Sequence, residues 1–257
     1  MVRVTTSIRV VLGLTVVAVA AMLQTAILLA LLPSRRARIR SCIVFERIVG
    51  YSCTWLTGCR LTLSGREHLD SSRPAIYVAN HTSIVDLFIM LRIMPGSAVG
   101  IAKKEVVRYP FFGQMYLLTG HLRLDRGRHG VAIASLKALG ELVQAHGLSI
   151  AMAPEGTRAR DGRLQPFKKG MVHLALQTGL PVVPIIIQGA HRVWLSDTLT
   201  LRPAEVVVEV LPAVSTAHWS AEDTDGAVDE IHAIYRNALP SDQLPLPPAA
   251  AFDAPER

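Results

Sequence analysis

The chain of 257 residues suits one domain with a sizeable core, or one domain carried on an anchor. Half of its residues are hydrophobic and the mean hydropathy is +0.34, which excludes an ordinary cytosolic composition. Its net charge of +7 sits entirely in residues 1–60, which hold eight Arg and one Glu. The remainder balances at nineteen charges of each sign, which argues against a nucleic-acid-binding body.

The first predicted element covers residues 10–32, a run without a charged side chain. As a helix it would be about 35 Å long at 1.5 Å per residue, enough for a hydrocarbon core of about 30 Å. Arg35, Arg36, Arg38 and Arg40 follow it directly, a flank that favours the cytoplasmic side and anionic lipid headgroups. The run is too long for the apolar region of a cleaved signal peptide, and it ends in Leu-Leu-Pro-Ser-Arg-Arg rather than at a small-residue cleavage site. Residues 42–55 are again apolar apart from Glu46 and Arg47, so a spanning helix and a two-helix hairpin dipping into one leaflet both fit. Cys42, Cys53 and Cys59 are odd in number, confined to this region and lack the spacing or His partner of a zinc site. We therefore expect residues 1–58 to form a membrane anchor.

Beyond it, short apolar runs at residues 75–79, 98–102, 149–153, 182–187 and 206–211 alternate with helical spacing at 84–93, 130–146, 170–178 and 225–239. Continuous apolar strands between helices predict an α/β domain with a covered mixed or parallel sheet, assigned to residues 59–239. From Pro240 onward, Pro and Ala with scattered charges predict a flexible tail, residues 240–257.

Several polar clusters fall where predicted strands end. Asn80-His81-Thr82-Ser83-Ile84-Val85-Asp86 lies between a strand and a helix, where α/β sheets place ligands. His81 can take a proton near neutral pH, and Asp86 can hold its imidazole in one tautomer. Helix capping explains Ser83 and Asp86 equally well, as a variant of the capping box, but it leaves Asn80 and His81 unexplained. Pro154-Glu155-Gly156-Thr157-Arg158 follows another strand, and Lys168-Lys169-Gly170 opens the next helix. Together they read as a phosphate cradle or as an ordinary polar turn. Lys103-Lys104-Glu105 and Leu124-Asp125-Arg126-Gly127-Arg128 are charge clusters with the same two readings. No Gly-x-Ser-x-Gly elbow, P-loop or dinucleotide fingerprint is present.

Taken in order, these segments resemble the lysophosphatidic acid (1-acyl-sn-glycerol-3-phosphate) acyltransferase family over roughly residues 60–215. The resemblance rests on Asn80-His81-x4-Asp86, Ala102-Lys103-Lys104-Glu105 with Pro110-Phe111-Phe112-Gly113, Leu124-Asp125-Arg126-Gly127, Pro154-Glu155-Gly156-Thr157-Arg158 and Leu180-Pro181-Val182-Val183-Pro184-Ile185. It implies a glycerolipid-acyltransferase-like α/β domain behind an N-terminal helical anchor. It also implies transfer of a fatty acyl group from acyl-CoA or acyl-carrier protein to the sn-2 hydroxyl of 1-acyl-glycerol-3-phosphate, giving phosphatidic acid. In that scheme His81 is the general base and Asp86 orients it. Lys103, Arg126 and Arg158 contact the acceptor phosphate, Glu155, Gly156 and Thr157 shape its site, and Lys168 is a further candidate.

The resemblance implies a lysophospholipid and membrane lipids as partners, no nucleic acid, no cofactor and no metal, and a cell-membrane location with the catalytic domain on the cytoplasmic side. Two departures stand out: Ala153 replaces the Phe that usually opens the third block, and Arg123 occupies a position where an apolar residue is common. Another lysolipid acceptor, such as a lyso-ornithine lipid, and a membrane-bound scaffold with a dead site are the alternative readings.

Overall fold

The computed structural model describes residues 2–69, 74–95, 98–103, 107–108, 112–119, 122–124, 139–195, 198 and 200–246. Helix α1 runs Val2–Ala30 and helix α2 runs Arg35–Thr57. The turn between them is closed by Ser34, whose hydroxyl accepts the amide of Ala37 at 3.2 Å. Gly58, at φ 80°, ends α2 in a left-handed cap and releases the chain into β1, Cys59–Ser64. The two helices are antiparallel neighbours. Leu12 and Val16 line a cleft with Tyr51, Trp55 and Leu56, while Gln24 near the other end of α1 donates to the hydroxyl of Ser41 at 2.8 Å. One face of α2 buries Ile39, Cys42, Phe45, Val49 and Cys53, and the opposite face exposes Val44, Ile48, Tyr51 and Trp55. The sequence places the second apolar segment at residue 42; the helix in fact begins seven residues earlier and takes in all four arginines.

The domain continues as β2 Ile76–Ala79, α3 Val85–Ile93, β3 Ala98–Lys103, α4 Phe112–Thr119 and β4 Leu122–Leu124. Then come α5, described over residues 139–146, β5 Ser149–Met152, α6 Gly170–Thr178, β6 Val182–Gln188, α7 Ala190–Val193, β7 Ala204–Val210 and α8 Thr224–Ala238. Among the described residues the strands form one sheet in the order β1-β7-β6-β2-β5-β3-β4, parallel except for the antiparallel β6–β7 pair. The expected α/β class with a covered mixed sheet is therefore what the chain adopts.

All four residues of β2 are buried because the sheet is covered on both sides. Alternation along the strand sends Ile76 and Val78 into a core shared with α5, α6 and α8, and Tyr77 and Ala79 into one shared with α3 and α7. Helix α2 docks on α3 through Gly50, where a Cβ would come within 2.5 Å of the Arg92 amide nitrogen, so the two helix backbones touch there.

One expectation is corrected. Residues 240–246 are a strap packed against the domain, with a 3-10 turn at Ser241–Gln243 and Gln243 fully buried. Residues 247–257 lie outside the described part, as do 130–138 of the expected helix.

Candidate active site

Strands β2 and β5 are hydrogen-bonded neighbours, with Val78 opposite Met152. From β2 the chain passes through α3 to β3, and from β5 through α6 to β6, on opposite sides of the pair. The crevice at their carboxyl ends is thus a topological switch point. Two loops leave the sheet there side by side: Asn80 to Ile84, and Ala153 to Lys169.

The first loop is fixed at every residue that matters. Asn80, 1% exposed, pins itself to β6: its Nδ2 donates to the Ile187 carbonyl at 2.9 Å, and its Oδ1 accepts the Ile187 amide at 2.8 Å. The main chain of His81 is held from the second loop. Its amide donates to Glu155 Oε2 at 2.6 Å, and its carbonyl accepts the amide of Ala159 at 2.9 Å. The His81 ring meets Asp86, with Nδ1 3.0 Å from Oδ2. That same oxygen accepts the amides of Thr82 at 2.7 Å and Ser83 at 2.8 Å. One carboxylate therefore performs both the reach-back to the helix start and the orientation of the imidazole; the two readings of the sequence are not rivals. Ser83 Oγ donates to the Trp194 carbonyl at 2.6 Å and accepts the amide of Val85 at 3.2 Å, tying the loop to the segment after α7.

These contacts have a chemical consequence. Asp86 is 2% exposed, so its fixed acceptor selects the tautomer with hydrogen on Nδ1 and leaves Nε2 with the basic lone pair. The His81 side chain is 26% exposed, enough for Nε2 to meet a substrate hydroxyl.

The second loop contrasts with the first. It opens with buried Pro154 and Glu155 and turns at Gly156, whose φ of 73° suits glycine. Thr157, Arg158 and Lys168 are then exposed on the same loop. The amide of Lys168 donates to the Pro154 carbonyl at 2.8 Å, which closes the loop's base and brings Lys168 back beside the Glu155 turn. Neighbouring Lys169 is committed to Asp225 of α8 at 2.8 Å.

Glu155 itself is buried against the His81 peptide. Burial, reinforced by the charge of Asp86, pushes its carboxyl up to about 8, against the opposing pull of the His81 amide. Lys103 is the last residue of β3, two strands from β2, and Arg126 lies outside the described residues. Sequence reasoning passed over the clamp on β6. Its only signal was an Asn at a strand exit that capping did not explain.

A family model described as Acyltransferase matches residues 60–188. The chain is 42% identical over 220 residues to the 1-acyl-sn-glycerol-3-phosphate acyltransferase of Cocos nucifera, covering 86% of this chain and 71% of that protein. It is 32% identical over 177 residues to 1-acyl-sn-glycerol-3-phosphate acyltransferase alpha of Homo sapiens, covering 69% of this chain and 62% of that one. In structure it is similar to the 1-acyl-sn-glycerophosphate (LPA) acyltransferase PlsC from Thermotoga maritima. The TM-score is 0.76 at 21% identity, over 92% of this chain and 93% of the other, a likeness of fold.

Proposed function

Because the chain belongs to the 1-acyl-sn-glycerol-3-phosphate acyltransferase family, we propose that it moves a fatty acyl group from an acyl thioester to the sn-2 hydroxyl of 1-acyl-glycerol-3-phosphate, giving phosphatidic acid. The observation that carries this reading is the His81–Asp86 pair at 3.0 Å, its main chain bonded to the loop that bears Arg158. His81 Nε2 takes the proton of the acceptor hydroxyl as the oxygen attacks the thioester carbonyl carbon. The carbon–sulfur bond then breaks, and the imidazolium, balanced by Asp86, returns its proton to the thiolate. Atoms and charges balance without an acyl-enzyme. Arg158 and Lys168, exposed on the neighbouring loop, receive the acceptor's phosphate, and Gly156 and Thr157 set the turn that presents them. Glu155 acts on the other side of that turn, as the acceptor for the His81 amide. Lys103 and Arg126 complete the proposed phosphate set.

Packing supports a particular form of the anchor. Residues Thr6–Ala30 are long and apolar enough to cross a membrane, with 11% of the most apolar window buried. Yet α1 runs along α2 at both of its ends, and α2 is seated on α3. A helix leaving the domain to cross a bilayer would not lie alongside it, so a hairpin sunk in one leaflet fits better. The exposed apolar residues Val44, Ile48, Tyr51 and Trp55 would then face lipid, with the catalytic domain on the cytoplasmic side.

The test is acyl transfer in liposomes from labelled acyl-CoA and acyl-carrier protein, with lysophosphatidic acid and a lyso-ornithine lipid as acceptors. Labelled phosphatidic acid, lost with His81→Ala, supports the reading. Transfer to the lyso-ornithine lipid alone overturns the acceptor, and no transfer to either points to a scaffold.

A further inference from the structure

Among the described residues the strap at residues 240–246 touches no proposed catalytic group, yet it ties together the two elements that frame the site. On one side Gln243, fully buried, grips the carboxyl end of β6: its Oε1 accepts the amide of Gly189 at 2.7 Å, and its Nε2 donates to the Ile187 carbonyl at 3.4 Å. That carbonyl is the one Asn80 uses to pin the start of the His81 loop. On the other side the strap holds the segment that follows Arg158. The Gln243 carbonyl accepts the amide of Leu164 at 2.8 Å, and Arg163 Nη1 donates to the Leu244 carbonyl at 2.8 Å. Gly162, just before these contacts, lies so close to His191 of α7 that a Cβ would fall 2.7 Å from its ring. The amide of Ala159, one residue past Arg158, is already bonded to His81.

We propose that Gln243 is a positioning residue: through the strap it fixes the segment between Arg158 and Gln165 against β6, and so sets where Arg158 meets the acceptor phosphate. The physical reason is the cost of a wandering cation. An exposed Arg on a loop that samples many positions binds phosphate only in the fraction of states that aim it, which lowers affinity for the acceptor without touching the base. A buried Gln that bonds a carbonyl near the end of β6 and the amide just past it, while its own main chain holds the loop, removes that freedom. The proposal rests on the phosphate role of Arg158.

Two measurements on the full chain in liposomes separate the proposal from that reading. The first is tryptic cleavage between residues 158 and 165, which needs no substrate. The second is the split between kcat and the KM for lysophosphatidic acid. Gln243→Ala and the volume-matched Gln243→Met are compared with Ile231→Val, a buried α8 variant that lowers stability and leaves the strap's bonds intact.

Both Gln243 variants should speed cleavage of the loop. They should also raise the acceptor KM about five- to ten-fold, the equivalent of one buried hydrogen bond, with kcat and the donor KM within about two-fold. Ile231→Val should lower Tm and leave all of these unchanged. Loop cleavage and acceptor KM that stay at native values, or that move equally in Ile231→Val, overturn the positioning role. Faster cleavage with an unchanged acceptor KM, alongside an Arg158→Ala variant that does raise it, shows a purely structural strap and also overturns it. An Arg158→Ala variant with native KM overturns the phosphate reading instead, and with it the functional half of this proposal.

Discussion

The two loops at the switch point are built on opposite principles. The His81 loop is buried and bonded at each step: Asn80 to β6, the His81 peptide to Glu155 and Ala159, and the Thr82 and Ser83 amides to Asp86. The Arg158 loop is anchored by buried Glu155, Ala159, Leu164 and Phe167, but it turns Thr157, Arg158 and Lys168 to solvent. A proton transfer needs its base held within a fraction of an ångström, whereas a phosphate offers several oxygens to solvent-facing cations carried on a fixed segment. The difference teaches which half should govern turnover and which should govern acceptor affinity.

The largest effect should come from breaking the rigid half at its reactive atom. His81→Ala is expected to lower kcat about 10²–10⁴-fold, the usual worth of a general base. Unfolding should be little changed, since the main-chain contacts of residue 81 survive; a parallel Tm measurement checks this. Asp86→Asn should act next, lowering kcat about 10²-fold by favouring the wrong tautomer. Because Oδ2 also serves two buried amides, this variant should cost about 1–3 kcal/mol in urea unfolding as well. A loss of stability with native kcat would mean that Asp86 only caps the helix.

Glu155 sharpens the comparison through pH. Its carboxyl is raised from the ordinary range to about 8 in the fold, so the native state holds a proton that the unfolded chain releases above its ordinary value. Stability from this residue is therefore full below about 4.5 and is lost as pH rises through about 8, by on the order of a few kcal/mol. Glu155→Gln keeps an acceptor for the His81 amide and carries no titrating group. Its urea unfolding should lack that decline between pH 5 and about 9. Parallel declines in the two proteins would place the buried proton elsewhere.

The smallest effect on chemistry should come from the N-terminal helix pair. Gly50→Val forces α2 away from the Arg92 backbone, and overpacking of this kind costs about 1–3 kcal/mol. Flotation with liposomes should persist because the exposed apolar residues Val44, Ile48, Tyr51 and Trp55 are untouched.

Much of this was legible in the sequence because the central strands are buried on both faces and write themselves as apolar runs. The runs at 75–79, 149–153 and 182–187 became β2, β5 and β6, and the polar clusters after the first two became the paired loops. What was not legible depends on partners far along the chain. β1 sits at the sheet edge with alternating burial, so Arg60-Leu61-Thr62-Leu63-Ser64 carries no continuous apolar run. The strap reads as polar and Pro-rich because its ordering comes from two main-chain groups of β6 and its exit, Ile187 and Gly189, more than fifty residues away. Asp86 was legible in both of its roles, but only the folded loop brings them together on one oxygen.

The division of labour between the loops is tested most directly by changing the acceptor rather than the enzyme alone. Transfer should be measured to lysophosphatidic acid and to the phosphate-free 1-acylglycerol, each with the native protein and with Arg158→Ala. A contact with phosphate predicts that Arg158→Ala lowers kcat/KM about 10- to 100-fold for lysophosphatidic acid, chiefly through KM, and leaves 1-acylglycerol at its native rate. Equal losses on both acceptors would contradict the account, since Arg158 would then serve the chemistry or the fold and not the phosphate.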